Sequence, residues 1–536
     1  MIQKNHDTKI QSLKDLLFQL IEKKDWEKTL VIGEYLASLD PEGIMAYQAL
    51  GFASLNLNNL EESEKYFDMA LERGDDDPMT FIQLARIHSS RNDLNGEVFW
   101  LKKTLEKDPA NLIALYNLAL TNLTLGDAGA AKEVLLEIVK KHPDHIPTRR
   151  TLADIHRAEQ DLDSAEQDLR DAIAVKSTIS QLHADLASLL RERERYDDAL
   201  AEYFQALELD PDHPTRYHDV GATLLAAGKA DQAISFLKKA TDLAPHEPYL
   251  HYELGRALFD AGRYHECELA NKAALHHYDS GRYAVKKNLG LNILNSLGLA
   301  YLNQSELGEA EECFRKSIGL TASSYFHLGL SLHWQGKYDE AITYLLHAVD
   351  LMPEQPVYWD MAGNAWLELG DLEHAREAFR HAIALDPKYP PAQYDLGVVL
   401  SRMKGMEDEA KKQFALAISL DETYPLPYYA IACLYALEGN RKLALEHLRK
   451  AVDLGFTNRG HADTDTDLDS LRDDPEFLDI MEKMSLQRSN SYRTSVKTDK
   501  SRTVDTADGL PEGKKNLTSA NAYTSMGDEG WMRYIW

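Results

Sequence analysis

Two groups of side chains in this 536-residue sequence have the composition of a metal site. His265, Cys267, His276 and His277 offer imidazole and thiolate donors, the ligands that zinc takes at about 2.0–2.3 Å. Their spacing argues against ligation, because consecutive residues on a helix point to different sides and Cys267 belongs to a series of small, core-facing residues described below. Asp463, Asp465, Asp467 and Asp469 alternate as the opening of a calcium loop does. Leu468 stands where that loop needs glycine, and Asp474 where it needs a bidentate glutamate. Capping of the closing helices accounts for these aspartates instead. The same D-x-D spacing occurs in the metal-nucleotide sites of glycosyltransferases, but no nucleotide-binding pattern accompanies it. The sequence contains no G-x-G-x-x-G, P-loop, H-E-x-x-H, C-x-x-C or G-x-S-x-G. The expectation is a chain that is not an enzyme, with no catalytic residues, no cofactor and no metal. Cys267, Cys313 and Cys433 are odd in number and far apart, which fits reduced, buried thiols in a cytoplasmic setting.

The elements that hold these residues follow from a 34-residue period. Counted from Ile44, every unit has a small residue at its eighth position: Gly51, Ala85, Ala119, Ala153, Ala187, Gly221 and Gly255. Twelve residues on, a second slot holds Ser63, Ala131, Ala165, Ala199, Ala233 and Cys267, with Glu97 the exception. A third slot reads Ala70, Thr104, Ile138, Ala172, Ala206, Ala240 and Ala274, and Pro109, Pro143, Pro211 and Pro245 close several units. Paired helices about 8–10 Å apart need small side chains where they cross, and proline stops the second helix. Large residues alternate with the small ones, as in Tyr217 with Val220 and Gly221, Tyr325 with Leu328 and Gly329, and Trp359 with Gly363, Trp366 and Phe379. This pattern resembles the tetratricopeptide repeat (TPR), in which each unit is two antiparallel helices joined by a tight turn. The resemblance implies an all-α fold, a right-handed α-solenoid of twelve to thirteen units.

The register also sets the boundaries. Residues 1–43 read as N-terminal capping helices, a degenerate repeat whose slots hold Leu17, Thr29 and Leu36. Seven regular units span 44–281, an insertion or hinge occupies 282–290 between Gly281 and Gly290, and five further units span 291–458. Within the second set the period slips by three residues at Ala322 and by one near Gly405. Residues 459–486 form a closing segment that covers the last exposed apolar face. From Gln487 the period and the apolar spacing end together, and the polar composition predicts a disordered tail. It finishes in an aromatic cluster, where Trp531, Tyr534 and Trp536 have the makings of a tethered docking motif.

Charge and hydropathy limit the partners. Net charge is −28, carried by the repeats, since the tail holds eight Lys/Arg against six Asp/Glu. Such an excess disfavours nucleic acid and anionic membrane surfaces, and no apolar run approaches the 18 or more residues of a membrane span. No secretory signal is apparent in Met1 to Lys14.

The TPR resemblance implies that the first helix of each unit faces the ligand, which here means one or more proteins or peptides. Its ligand-facing positions hold Arg150, Asp185, Asp219, Tyr252, Glu253 and Arg256 in a polar stretch of mixed sign. Further along, Phe326, Tyr394 and Tyr429 make the expected groove aromatic, the kind of residue that anchors interfaces. Two specialised modes of the family are not matched. Of the positions that would clamp a chaperone's terminal carboxylate, Ile82, Arg86, Asn117, Pro147 and Thr151, only Asn117 fits. The asparagine ladder of O-linked sugar transferases is replaced by Gln83, Asn117, Thr151, Asp185, Asp219 and Glu253. The expected function is a protein-binding scaffold, adaptor or assembly factor. The alternative is a targeting or regulatory subunit of an enzyme, such as a glycosyltransferase, carried on a separate polypeptide.

Overall fold

The computed structural model describes residues 2–279, 287–319 and 321–485, among which all regular structure is helical. The chain divides into two compact units between Ala227 and Gly228. Each is a succession of antiparallel helix pairs. In the first unit the pairs begin with Ile2–Glu22 and Trp26–Leu39 and continue through Ile44–Asn56 with Leu60–Glu72 to Ser180–Glu192 with Tyr196–Leu209. In the second, Pro248–Asp260 pairs with Tyr264–Asp279, Pro356–Leu369 with Leu372–Leu385, and Pro390–Arg402 with Glu407–Leu420.

The turn inside each pair shows how local sequence fixes the period. One residue there takes a left-handed conformation, and in the regular stretch these residues are Lys24, Asn58, Asn92, Gly126, Gln160, Glu194, Gly228 and Gly262, each 34 after the last. The series then shifts to Ser305, Gly336, Gly370, Gly405 and Gly439, following the insertion and both slips read from the sequence. A left-handed turn needs no Cβ, which explains the glycines. The next residue caps the second helix. Asp93, Asp127, Asp161 and Asp371 each accept a hydrogen bond from the backbone N–H three residues on. Proline opens many first helices, including Pro214, Pro248, Pro356, Pro390 and Pro425, where its missing N–H costs nothing.

Inside a pair, a glycine in the first slot faces the side chain sixteen or seventeen residues on. A Cβ at Gly363 would lie 2.7 Å from the Phe379 ring, and at Gly397 2.5 Å from Phe414, so glycine admits a fully buried phenylalanine. Ala119 shares a core with Leu135, and Ala153 with Leu169. The residues of the third slot series are almost completely shielded from solvent.

The chain's last described segment folds onto the final pair, Pro425–Leu437 and Arg441–Asp453. Helix Arg459–Thr464, a 3₁₀ turn Thr466–Leu471 and a helix over 475–485 place Leu468, Leu471, Phe477, Ile480 and Met484 in one core with Leu445 and Leu448. Helix Lys287–Asn303 begins inside the expected insertion 282–290, and residues 280–286 lie outside the described chain.

Candidate functional site

In the first unit, first helices of successive pairs are tied by side chains about 35 residues apart. Arg150 of helix Ile146–Ala158 donates from Nε to Asp185 Oδ2 at 2.5 Å. Asp185 Oδ1 accepts from Gln181 Nε2 at 2.6 Å, and Gln181 Oε1 accepts from Arg216 Nη2 at 2.9 Å. Arg216 also donates from Nε to Ser180 Oγ at 3.2 Å, and its Nη1 lies 3.7 Å from Asp219 Oδ2. A parallel rung joins Arg157 to Glu192 through two hydrogen bonds. Helices Ile146–Ala158, Ser180–Glu192 and Pro214–Ala226 therefore share one ladder that includes Arg150, Asp185 and Asp219. Gln181 and Arg216 were missed in the sequence. Their signal was a donor and an acceptor one repeat plus one residue apart, a pairing that a count of ligand-facing positions does not contain.

Arg216 is buried, whereas the Arg150 side chain keeps 46% of its exposure. The ladder thus has a fixed inner part and an outer part open to solvent. Charges paired this way hold their geometry before any partner arrives, and pairing at the exposed end contributes little stability.

In the second unit, Arg256 is half exposed and its Nη1 lies 3.2 Å from both carboxylate oxygens of buried Glu253. Tyr252 sits beside them with its phenol pushed above the ordinary range by burial. The three aromatic positions differ from the sequence expectation. Phe326 is 3% exposed and stacks on Tyr358 of the next first helix at 4.8 Å. Tyr394 is 8% exposed, between Phe414 and Tyr424. Tyr429 is 6% exposed, stacked on Phe456 at 4.4 Å, and donates its O–H to Asp465 at 2.7 Å. These rings fill the seams between successive pairs and do not line an open surface. Acidic neighbours are buried with them. Asn364 Nδ2 donates to Asp395 at 3.3 Å, and burial, reinforced by the charge of Asp395, holds the Asp360 carboxyl well above the usual carboxylate range.

The metal groupings weighed in the sequence are rearranged. Cys267 is fully buried in its helix crossing, receives a hydrogen bond from Asn271 at 3.3 Å, and has its thiol pushed up to about 12 by burial. His276 gathers with His246 and His251 around His277, their rings 5.3–5.4 Å from that of His277. His265 turns to Glu268. Trp531, Tyr534 and Trp536 lie outside the described residues.

Paired antiparallel helices, a recurring left-handed turn and small crossing residues define a helical repeat protein. Models of the tetratricopeptide repeat match residues 113–145, 178–246, 224–286, 291–323, 321–352, 363–404 and 427–454, and the chain belongs to the TPR family. No curated protein sequence matches it. Among solved structures, the chain is similar to the APC/C hetero-tetramer Cut9-Hcn1, with 16% identity over 88% of this chain and 96% of that one and a TM-score of 0.40. The structure of Naa15/Naa10 bound to HypK-THB aligns with 14% identity over 92% and 80% of the two chains, at a TM-score of 0.31. YrrB, described as a TPR protein with an unusual peptide-binding site, aligns at 20% identity over 36% of this chain and 97% of its own, with a TM-score of 0.30. Among the described residues no helix is long and apolar enough to cross a membrane.

Proposed function

We propose that this chain is a non-catalytic interaction scaffold, an adaptor or assembly factor in the cytoplasm, that takes segments of partner proteins along the first helices of its repeats. The observation that supports this reading is the ladder Arg150, Asp185, Gln181, Arg216 and Asp219, which spans three successive repeats and ends in a half-exposed guanidinium. Fixed charges of both signs along a line suit an extended segment bearing the complementary sequence of charges, and they set its register more than its raw affinity. Glu253 and Arg256 provide a second pair of the same kind in the other unit.

The test is affinity purification of the full chain beside Arg150→Glu and Asp185→Lys, with partners quantified by mass spectrometry. A partner retained by the wild type and reduced about tenfold by both variants, at unchanged helicity and melting temperature, supports the reading. Equal recovery by all three chains would remove the ladder from the binding surface. Recovery of one stoichiometric enzyme would make the chain that enzyme's targeting subunit.

A further inference from the structure

The closing segment brings together donors that lie far apart in sequence. Cys433 sits on helix Pro425–Leu437, and Asp465 and Asp467 flank the start of the 3₁₀ turn. The Cys433 sulfur and one oxygen from each carboxylate all lie within 4.8 Å of one another. Cys433 Sγ is 3.5 Å from Asp465 Oδ2, and His461 Nε2 is 3.8 Å from the same oxygen. For bonds of about 2.0–2.3 Å, the ligands of a tetrahedral zinc ion stand roughly 3.3–3.8 Å apart. Both measured edges already fit that figure.

Three further features separate this group from an ordinary set of capping aspartates. Its donors are sulfur, nitrogen and oxygen, the mixture that selects a borderline metal such as zinc over calcium or magnesium. The Cys433 side chain is 6% exposed and directed at the carboxylates. His461 Nδ1 is buried with no hydrogen-bond partner, while the ring lies against Tyr429 and turns Nε2 to Asp465 Oδ2, which holds the imidazole at this cluster. Asp465 can do two things at once. Its Oδ1 accepts the Asp467 backbone N–H at 3.0 Å as a cap, while Oδ2 faces the thiol and receives the Tyr429 O–H at 2.7 Å, an outer-shell donor of the kind that orients metal-bound carboxylates.

We propose that Cys433, His461, Asp465 and Asp467 form a structural zinc site that fastens the closing segment to the last repeat. Binding converts the Cys433 S–H to a Zn–S bond and releases its proton to solvent, with His461 neutral and both carboxylates ionised. The charge of the ion offsets three anionic ligands gathered on one partly buried surface.

The full-length chain, stripped with chelator, is titrated first with Co²⁺ and then with Zn²⁺. The expected result is one equivalent of Co²⁺ giving thiolate-to-metal charge-transfer absorption and tetrahedral ligand-field bands, displaced by Zn²⁺. Cys433→Ser removes the charge-transfer band, while Cys267→Ala and Cys313→Ala keep it. Asp467→Asn, which leaves the Asp465 cap and its Tyr429 contact in place, weakens Zn²⁺ binding by at least about tenfold, since loss of outer-shell partners alone costs 10–100-fold. Zinc raises the melting temperature of the wild type more than that of Asp467→Asn at the same zinc concentration. Absence of the charge-transfer band in the folded wild-type chain, or a band that survives Cys433→Ser, overturns the proposal.

Discussion

Gln160 and Glu194 hold backbone φ of 64° and 58° at turn positions where other repeats have glycine. A left-handed conformation costs an L-residue with a Cβ roughly 1–2 kcal/mol, against about 0.5–1 kcal/mol of extra chain entropy lost by glycine on folding. Gln160→Gly and Glu194→Gly are therefore expected to be neutral or to stabilise by up to about 1 kcal/mol, and Gly370→Ala, at φ 80°, to destabilise, all read by chemical denaturation. Gly363→Ala is a different case, since its backbone is helical and the obstacle is the Phe379 ring at 2.7 Å. Overpacking of this kind costs about 1–3 kcal/mol, and Phe379→Leu in the same chain should recover part of it. The small slots and the turn register were legible in the sequence because each is a local requirement repeated many times. The Cys433, His461, Asp465 and Asp467 grouping was not. Cys433 and Asp465 are 32 residues apart, and only the folding back of the closing segment brings them together.

The helix pair is the scale at which the sequence reading of the groove changes. Counting positions along a first helix says which face a residue occupies, but not whether the next pair covers that face. Helix Pro390–Arg402 is covered on nearly every side and buries Pro391, Gln393, Tyr394, Asp395 and Val399 alike. In helix Ile146–Ala158, by contrast, Arg150 stays open to solvent. Tyr394→Ala and Tyr429→Ala are accordingly expected to lower stability by about 3–5 kcal/mol, in the range of large aromatic truncations. Tyr429→Phe removes only the hydrogen bond to the Asp465 carboxylate, a loss of about 1.5–3 kcal/mol. Reduced partner capture by Tyr394→Ala with an unchanged denaturation midpoint would show that the ring meets a ligand and not the neighbouring repeat.

At the scale of the whole molecule, the burial of ionisable groups makes stability depend on pH. Burial lowers His327 and His333, both in helix Ala322–Trp334, to about 4. The unfolded chain binds protons at these rings from about pH 6.5 and the native state only near 4, so their contribution is complete above pH 6.5 and is lost as pH falls toward 4. Each ring accounts for about 3 kcal/mol over that interval. Asp360 acts with the opposite sign, because its raised carboxyl favours the protonated native state as pH falls. Comparison with His333→Gln isolates one ring. The variant should lose less stability than the wild type between pH 6.5 and 4 in denaturation curves, and an identical slope would mean that the native state admits the proton.

Hydrogen exchange of the full chain, alone and with a captured partner, bears most directly on the central claim that ligands lie along the first helices. The account predicts new protection in Ile146–Ala158, Ser180–Glu192 and Pro214–Ala226, abolished by Arg150→Glu. Protection confined to second helices such as Leu162–Val175 and Tyr196–Leu209 would contradict it.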